Sequence, residues 1–212
     1  LINVPDVVGK DFDEATEMIT SANLKVEKNE IYDNNVAAGL VISQAPQAGS
    51  SQKGGTKILL TVSLGKQPVT VKFNSLGGTC QESERTVYYT ETYGELPVPT
   101  MQYHKFLGWY TAEKSGSQVE ADTKVNNVNS QTLYARWERI YVRVAFDANG
   151  GKVGTSSTNI AMGEKYSLPT PERKYYSFDG WYTDKNGGTK VTSSDVMSTG
   201  ERHTLYAHWT VK

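Results

Sequence analysis

Cysteine occurs once in the 212 residues, at Cys80, so no disulfide can close within the chain and no cluster of thiolates can gather a metal. Histidine occurs three times, at His104, His203 and His208. Neither sign of charge is in excess. Lys plus Arg number 22 and Asp plus Glu number 23, so the chain has no overall field to draw in nucleic acid or an anionic membrane surface. No apolar run approaches the roughly 18 residues that cross a bilayer, so no membrane insertion is expected of this segment. Leu1 is neither a methionine nor the start of a basic region leading into an apolar one. The chain therefore reads as a piece of something longer, whose secretion or anchoring signals would lie elsewhere.

What is plentiful is turn and pleat chemistry. Nineteen Gly and 13 Tyr, with 37% hydrophobic content, suit a turn-rich and largely β protein. Two phrases nearly coincide: "FLGWYT" at 106–111 and "FDGWYT" at 178–183. The match extends well beyond them. Val69, Val71 and Phe73 fall on Val142, Val144 and Phe146 at an offset of 73, and Gly77 and Gly78 fall on Gly150 and Gly151. From Leu96 and Pro97 against Leu168 and Pro169 the offset is 72, and it holds through "TLYARW" at 132–137 against "TLYAHW" at 204–209. Two whole modules are repeated. Each begins and ends with period-two alternation, which predicts strands in an antiparallel sheet with one face on a core. The pairs of glycines, and "DKNGGT" at 184–189, read as turns.

A module of about 70 residues has little interior and fills it best with large side chains. The recurring aromatics are therefore assigned to packing: Phe73, Phe106, Trp109 and Trp137 in the first repeat, and Phe146, Phe178, Trp181 and Trp209 in the second. A sugar-stacking role for the tryptophans is the competing reading. If the segment is extended, Tyr110 and Tyr182 point away from their neighbouring Trp and are the better exposed platform.

Catalysis needs converging groups, and the two repeats test each other. His104 meets Tyr176, His203 meets Gln131 and His208 meets Arg136, so no acid–base or metal role is shared and solvated histidines are expected. Cys80 meets Val153, which marks a small apolar packing position. "DANGG" at 147–151 and "DKNGG" at 184–188 open like calcium loops but lack the third ligand, the glycine in register and the distal Glu. No cofactor, metal site or catalytic residue is assigned.

Residues 1–66 follow another plan. "DFDEATEMITSANL" places Phe12, Ala15, Ile19 and Ala22 on one helical stripe after Asp11, which with Glu14 resembles a capping box. "LKVEKNEIY", "GLVISQ" and "ILLTVSL" read as strands, the last with Ile58, Leu60, Val62 and Leu64 on one side, and "PQAGSSQKGG" reads as a loop.

The motifs "VPDVVG", "GLVISQAPQAG" and "GTKILLTVSLG" resemble the PASTA domain over residues 1–66. "YGELPVPTMQYHKFLGWYT" and "YSLPTPERKYYSFDGWYT", each followed by "LYAxW", resemble the bacterial surface repeat typified by the B repeat of internalins, over residues 69–138 and 141–212. The resemblances imply an α+β, predominantly β chain: a helix on a three-stranded sheet, then two tandem β-grasp-like modules joined by the short links "GKQPV" and "ERIY". They also imply a non-enzymatic, monomeric segment at the bacterial cell surface or wall. Its expected partners are peptidoglycan fragments, surface glycans or host proteins. A passive spacer, or a targeting segment of a wall enzyme or sensor kinase, is the alternative.

Overall fold

The computed structural model describes residues 1–212 and is predominantly β, with fifteen strands and one helix. By density of contact it divides into two compact units. One holds Leu1–Asn74, Glu82–Leu96 and Gly116–Leu133; the other holds Ser75–Gln81, Pro97–Ser115 and Tyr134–Lys212.

The first module comprises β1 (Ile2–Asn3), α1 (Phe12–Ser21), β2 (Lys25–Ile31), β3 (Val41–Ala45), β4 (Ser51–Gln52) and β5 (Lys57–Ser63). Its main sheet has the order β2-β5-β3, with β2 parallel and β3 antiparallel to β5. The helical stripe explains α1. Ala15 and Ile19 are fully buried against Val41, Ile58, Leu60 and Val62, while Phe12, Met18 and Ala22 pack around the margin. Asp11 caps the helix by accepting from the Asp13 backbone N–H at 2.9 Å. Glu14 does not complete a capping box, because its carboxylate pairs with Lys10 four residues before it. Leu64 also departs from the expected inner face: it lies past the end of β5, where the chain turns at Gly65, and is 41% exposed. The stretch expected to be a plain loop contains β4, which pairs with β1.

The first repeat comprises β6 (Pro68–Asn74), β7 (Glu84–Tyr88), β8 (His104–Tyr110), β9 (Gln118–Val119) and β10 (Gln131–Arg139). The second comprises β11 (Tyr141–Asp147), β12 (Ser157–Ala161), β13 (Tyr176–Asp184), β14 (Gly187–Val191) and β15 (His203–Val211). The strand orders, β7-β6-β10-β8-β9 and β12-β11-β15-β13-β14, are the same. The second repeat's sheet is mixed and not purely antiparallel, because β11 and β15 run parallel while every other pair in it is antiparallel. Parallel pairing needs a long crossover, and the chain from β12 to β13 supplies it. That crossover carries no helix, in contrast to the helix a β-grasp module lays on its sheet. Gly163, Pro169 and Pro171 interrupt it, and no apolar stripe at helical spacing is available to hold a helix down.

Inward residues follow the expected alternation. Val142, Val144 and Phe146 on β11, Leu205 and Ala207 on β15, and Trp181 on β13 close one core with Ile160 and Met197. Val69 and Val71 on β6 and Leu133 and Ala135 on β10 are equally buried.

The links into the two repeats are built alike. Lys66 pairs with Glu91 at 2.8 Å, and Arg139, its counterpart, pairs with Glu164 at 2.7 Å. Between β10 and β11 only Ile140 intervenes, and it is bonded at both ends, its N–H to the Tyr103 carbonyl and its own carbonyl from the Met162 N–H, both at 2.9 Å.

Candidate functional site

The duplicated phrase contains a spacing that simple pleating does not explain. Phe106 and Trp109 are three apart, as are Phe178 and Trp181, so a regular strand would put them on opposite faces. A β-bulge restores them to one face. Opposite Trp137 stands Phe106 and opposite Arg136 stands Gly108, with Leu107 left over; Phe178 and Gly180 stand likewise against Trp209 and His208, with Asp179 left over. Gly108 at φ +133° and Gly180 at φ +144° supply a backbone conformation that a side chain would strain. The glycine in "GWYT" is thus what allows the aromatic pair to meet, at ring-centroid distances of 5.6 Å and 5.7 Å.

Of the eight aromatics assigned to packing, Trp109 and Trp181 are each 1% exposed, and Phe73 and Phe146 are also buried. Phe106, Trp137, Phe178 and Trp209 are half-buried and cover the edge of the core. All four indole N–H groups donate to main-chain carbonyls. Trp109 reaches Pro97 at 2.7 Å and Trp181 reaches Pro169 at 2.8 Å. Trp137 reaches Ser75 at 2.8 Å and Trp209 reaches Ala148 at 2.9 Å. Those bonds turn each ring into a brace between the sheet and a loop, and they leave the donors nothing to offer a ligand.

The paired glycines divide two tasks. The first of each pair, Gly77 or Gly150, takes positive φ, +95° and +88°. The second, Gly78 or Gly151, is required by space: a Cβ there would stand 2.5 or 2.6 Å from the Trp137 or Trp209 ring and 2.8 or 2.7 Å from a carbonyl oxygen. "GG" and the final Trp of "LYAxW" are two halves of one contact.

Tyr110 and Tyr182 do leave the core face, yet neither is a bare platform. The Arg136 guanidinium lies 3.7 Å from the centre of the Tyr110 ring, and His208 stacks on Tyr182 at 3.9 Å and 9°. Arg136 and His208 hold equivalent positions, and each also bonds a main-chain carbonyl, Ser115 or Asp184. His203 has a comparable explanation. Its Nε2 meets the half-buried Tyr166 hydroxyl at 3.1 Å, where the first repeat joins Tyr93 to Gln131. Burial pushes both tyrosines above their ordinary pKa; Gln131 partly offsets the rise at Tyr93, and the Asp195 charge adds to it at Tyr166. His104 Nδ1 meets the Gln102 carbonyl at 2.8 Å, so all three histidines are partnered, not simply solvated. A flat ring or fork, or an acceptor at side-chain reach, serves equally well, which is why the residue type differs between repeats. No group of three or more His, Cys, Asp and Glu side chains converges to hold a metal ion, and Cys80 is a free, half-buried thiol.

A groove of about 880 Å³ lies on the second repeat. Tyr176, Phe178 and Trp209 supply its aromatic surface and Lys152, Arg173, Lys174 and Lys212 its basic side chains, beside Glu172. Arg173 lies 3.9 Å from the centre of the Tyr176 ring and donates to the Asn149 carbonyl at 3.3 Å. These cations escaped notice in the sequence because comparison of the repeats draws attention to what they share. The signal was in the differences: Thr79, Met101 and Gln102 occupy the places of Lys152, Arg173 and Lys174 in the first repeat.

Residues 2–64 match the family model of the PASTA domain, and residues 70–136 and 143–208 match that of the Listeria-Bacteroides repeat domain. A putative membrane protein of Evansella cellulosilytica is 35% identical over 144 residues, 67% of this chain and 21% of its own length. Internalin H of Listeria monocytogenes is 30% identical over 130 residues, 61% of this chain and 23% of its own length. A probable serine/threonine-protein kinase PknB of Corynebacterium glutamicum is 32% identical over 89 residues, 41% of this chain and 14% of its own length. The chain thus spans less than a quarter of each of these relatives. Among solved structures, a three-PASTA-domain segment of a Ser/Thr kinase from Staphylococcus aureus overlaps 97% of this chain and 98% of its own, at 13% identity and a TM-score of 0.35.

Proposed function

The chain belongs to the Listeria-Bacteroides repeat family, two copies of which follow a PASTA domain, and from that premise we propose that it is a non-catalytic recognition segment of a bacterial cell-surface protein. In this reading the PASTA module associates with peptidoglycan and the two repeats display or extend an adhesive surface. The observation that carries it is the combination of modules in one chain. Its relatives include an internalin and a probable Ser/Thr kinase, which supports an extracellular setting. No helix is long and apolar enough to cross a membrane.

The site chemistry agrees. The histidines are engaged with tyrosines and main-chain carbonyls and the indole donors with main-chain oxygens, an arrangement that serves packing. The test is co-sedimentation of the intact chain with purified, protein-free peptidoglycan. Depletion of the supernatant that saturates with added chain is expected. A chain that stays wholly soluble at every peptidoglycan load makes the segment a spacer.

A further inference from the structure

We infer that the groove of the second repeat is a binding site for an acidic glycan, a sugar chain bearing carboxylate groups. This rests on the reading of the segment as a surface recognition module and assigns that role a place and a ligand chemistry.

Three observations carry it. The first is charge: the side chains of Lys152, Arg173, Lys174 and Lys212 against Glu172 leave a surplus of three positive charges in one concavity of about 880 Å³, while the chain as a whole carries −1. None of these four side chains is in an ion pair; Arg173 lies on Tyr176 and Lys174 on Tyr175, so their charge is unneutralised. The planar fork of Arg173 matches a carboxylate.

The second observation is what the rim withholds. An acidic peptide gains much of its hold by adding a strand to free backbone groups. Here those groups are used. Lys152 and Glu172 exchange both N–H···O=C bonds at 2.8 Å, Gly151 donates to Ala148 at 3.0 Å and Tyr176 to Arg173 at 3.2 Å. Recognition falls to aromatic surface and to cations, the combination that suits the apolar face and the acid groups of a sugar chain.

The third is specificity to one repeat. The backbone bridge Lys152–Glu172 recurs as Thr79–Thr100, and Arg173 lies over Gly150 as Met101 lies over Gly77. The scaffold is thus the same, and these cations are not repeated: Thr79, Thr100, Met101 and Gln102 are all neutral, and the first repeat's one cation at an equivalent place is Lys105, where Ser177 lines the groove.

The first repeat also supplies the test. Calorimetry of the intact chain with hexagalacturonate is compared with maltohexaose and with a decamer of glutamate. The variant Lys152→Thr/Arg173→Met/Lys174→Gln carries residues that the fold already accepts at these places. One site for hexagalacturonate per chain is expected, weakened at least about tenfold in the triple variant, since each charge-assisted bond contributes measurably. It should weaken also from 50 mM to 500 mM salt as screening shortens. The reciprocal Thr79→Lys/Met101→Arg/Gln102→Lys variant should gain a second site. Absent binding, binding unchanged in the triple variant despite an unaltered melting curve, or equal binding of maltohexaose or the glutamate decamer overturns the inference. Peptidoglycan co-sedimentation of the same triple variant should be unchanged, so loss of one activity is told apart from loss of the other.

Discussion

Replacing Gly151 by Ala adds one methyl group at a place where the surroundings leave none. The new Cβ would lie 2.6 Å from Cζ2 and 3.1 Å from Cη2 of Trp209, and 2.7 Å from the Glu172 carbonyl oxygen. Carbon atoms rest at about 3.5–4.0 Å, so the ring or the carbonyl must retreat by about 1 Å. Either retreat breaks something. The carbonyl accepts the Lys152 N–H at 2.8 Å, and the ring is tied to Ala148 at 2.9 Å. Overpacking of this kind costs about 1–3 kcal/mol and one lost hydrogen bond about 1 kcal/mol, so about 3 kcal/mol is expected. For a module of this size that lowers the midpoint of thermal unfolding by roughly 12–24 °C. Two neighbours calibrate the result. Gly150, at φ +88°, should cost about 1–2 kcal/mol on substitution by Ala. At Gly154 the added methyl meets nothing within 4 Å, and the change should stay within about 0.5 kcal/mol. Denaturant melts followed by tryptophan fluorescence give all three. If Gly151→Ala costs no more than Gly154→Ala, the contact between the paired glycines and the last tryptophan is not what holds the loop to the sheet.

Other consequences are as direct. Trp181→Ala removes a ring that is 1% exposed and should cost about 3–5 kcal/mol, against a smaller loss for half-buried Trp209, read by the same melts. Asp11→Ala removes the cap of α1 and should cost about 1 kcal/mol, measured as a shift in denaturant midpoint. Tyr93 and Tyr166 have folded-state pKa values raised above 10.0, so the stability they confer is complete below that value. It declines as pH rises above 10.0 toward their folded-state values, because the unfolded chain ionises first. Absorbance titration at alkaline pH should show Tyr93 and Tyr166 ionising above 10.0, and Tyr166→Phe should remove one of these late steps. Arg139→Ala breaks an exposed pair with Glu164 and should change stability by less than about 1 kcal/mol, a loss reproduced by high salt.

Much of this was legible in the residues themselves. Alternation along Val142, Val144 and Phe146 gave the inner face of β11, and the stripe through Ala15 and Ile19 gave the buried side of α1. Other features depend on partners distant in sequence. Nothing local to "FLGWYT" says that Leu107 is surplus, because a bulge is defined by the strand opposite. The parallel pairing of β11 with β15 is a fact of topology, and alternation reads the same in either direction. Glu14 could serve Asp11 or Lys10, and only the folded geometry chooses. The groove was hidden for a related reason: Lys152 and Arg173 are 21 positions apart and meet only through the bridge between Lys152 and Glu172.

The central claim is that the repeated aromatic phrase is a packing device whose indole groups are committed to the chain's own backbone, leaving recognition to other surfaces. Hydrogen exchange of the four indole N–H groups, followed by NMR on the intact chain with and without peptidoglycan fragments, tests it most directly. Trp109 and Trp181, bonded to Pro97 and Pro169, should exchange only as slowly as the repeats unfold, and their resonances should stay in place when fragments are added. Exchange at the rate of a free indole, or displacement of those two resonances by the fragments, would contradict the account.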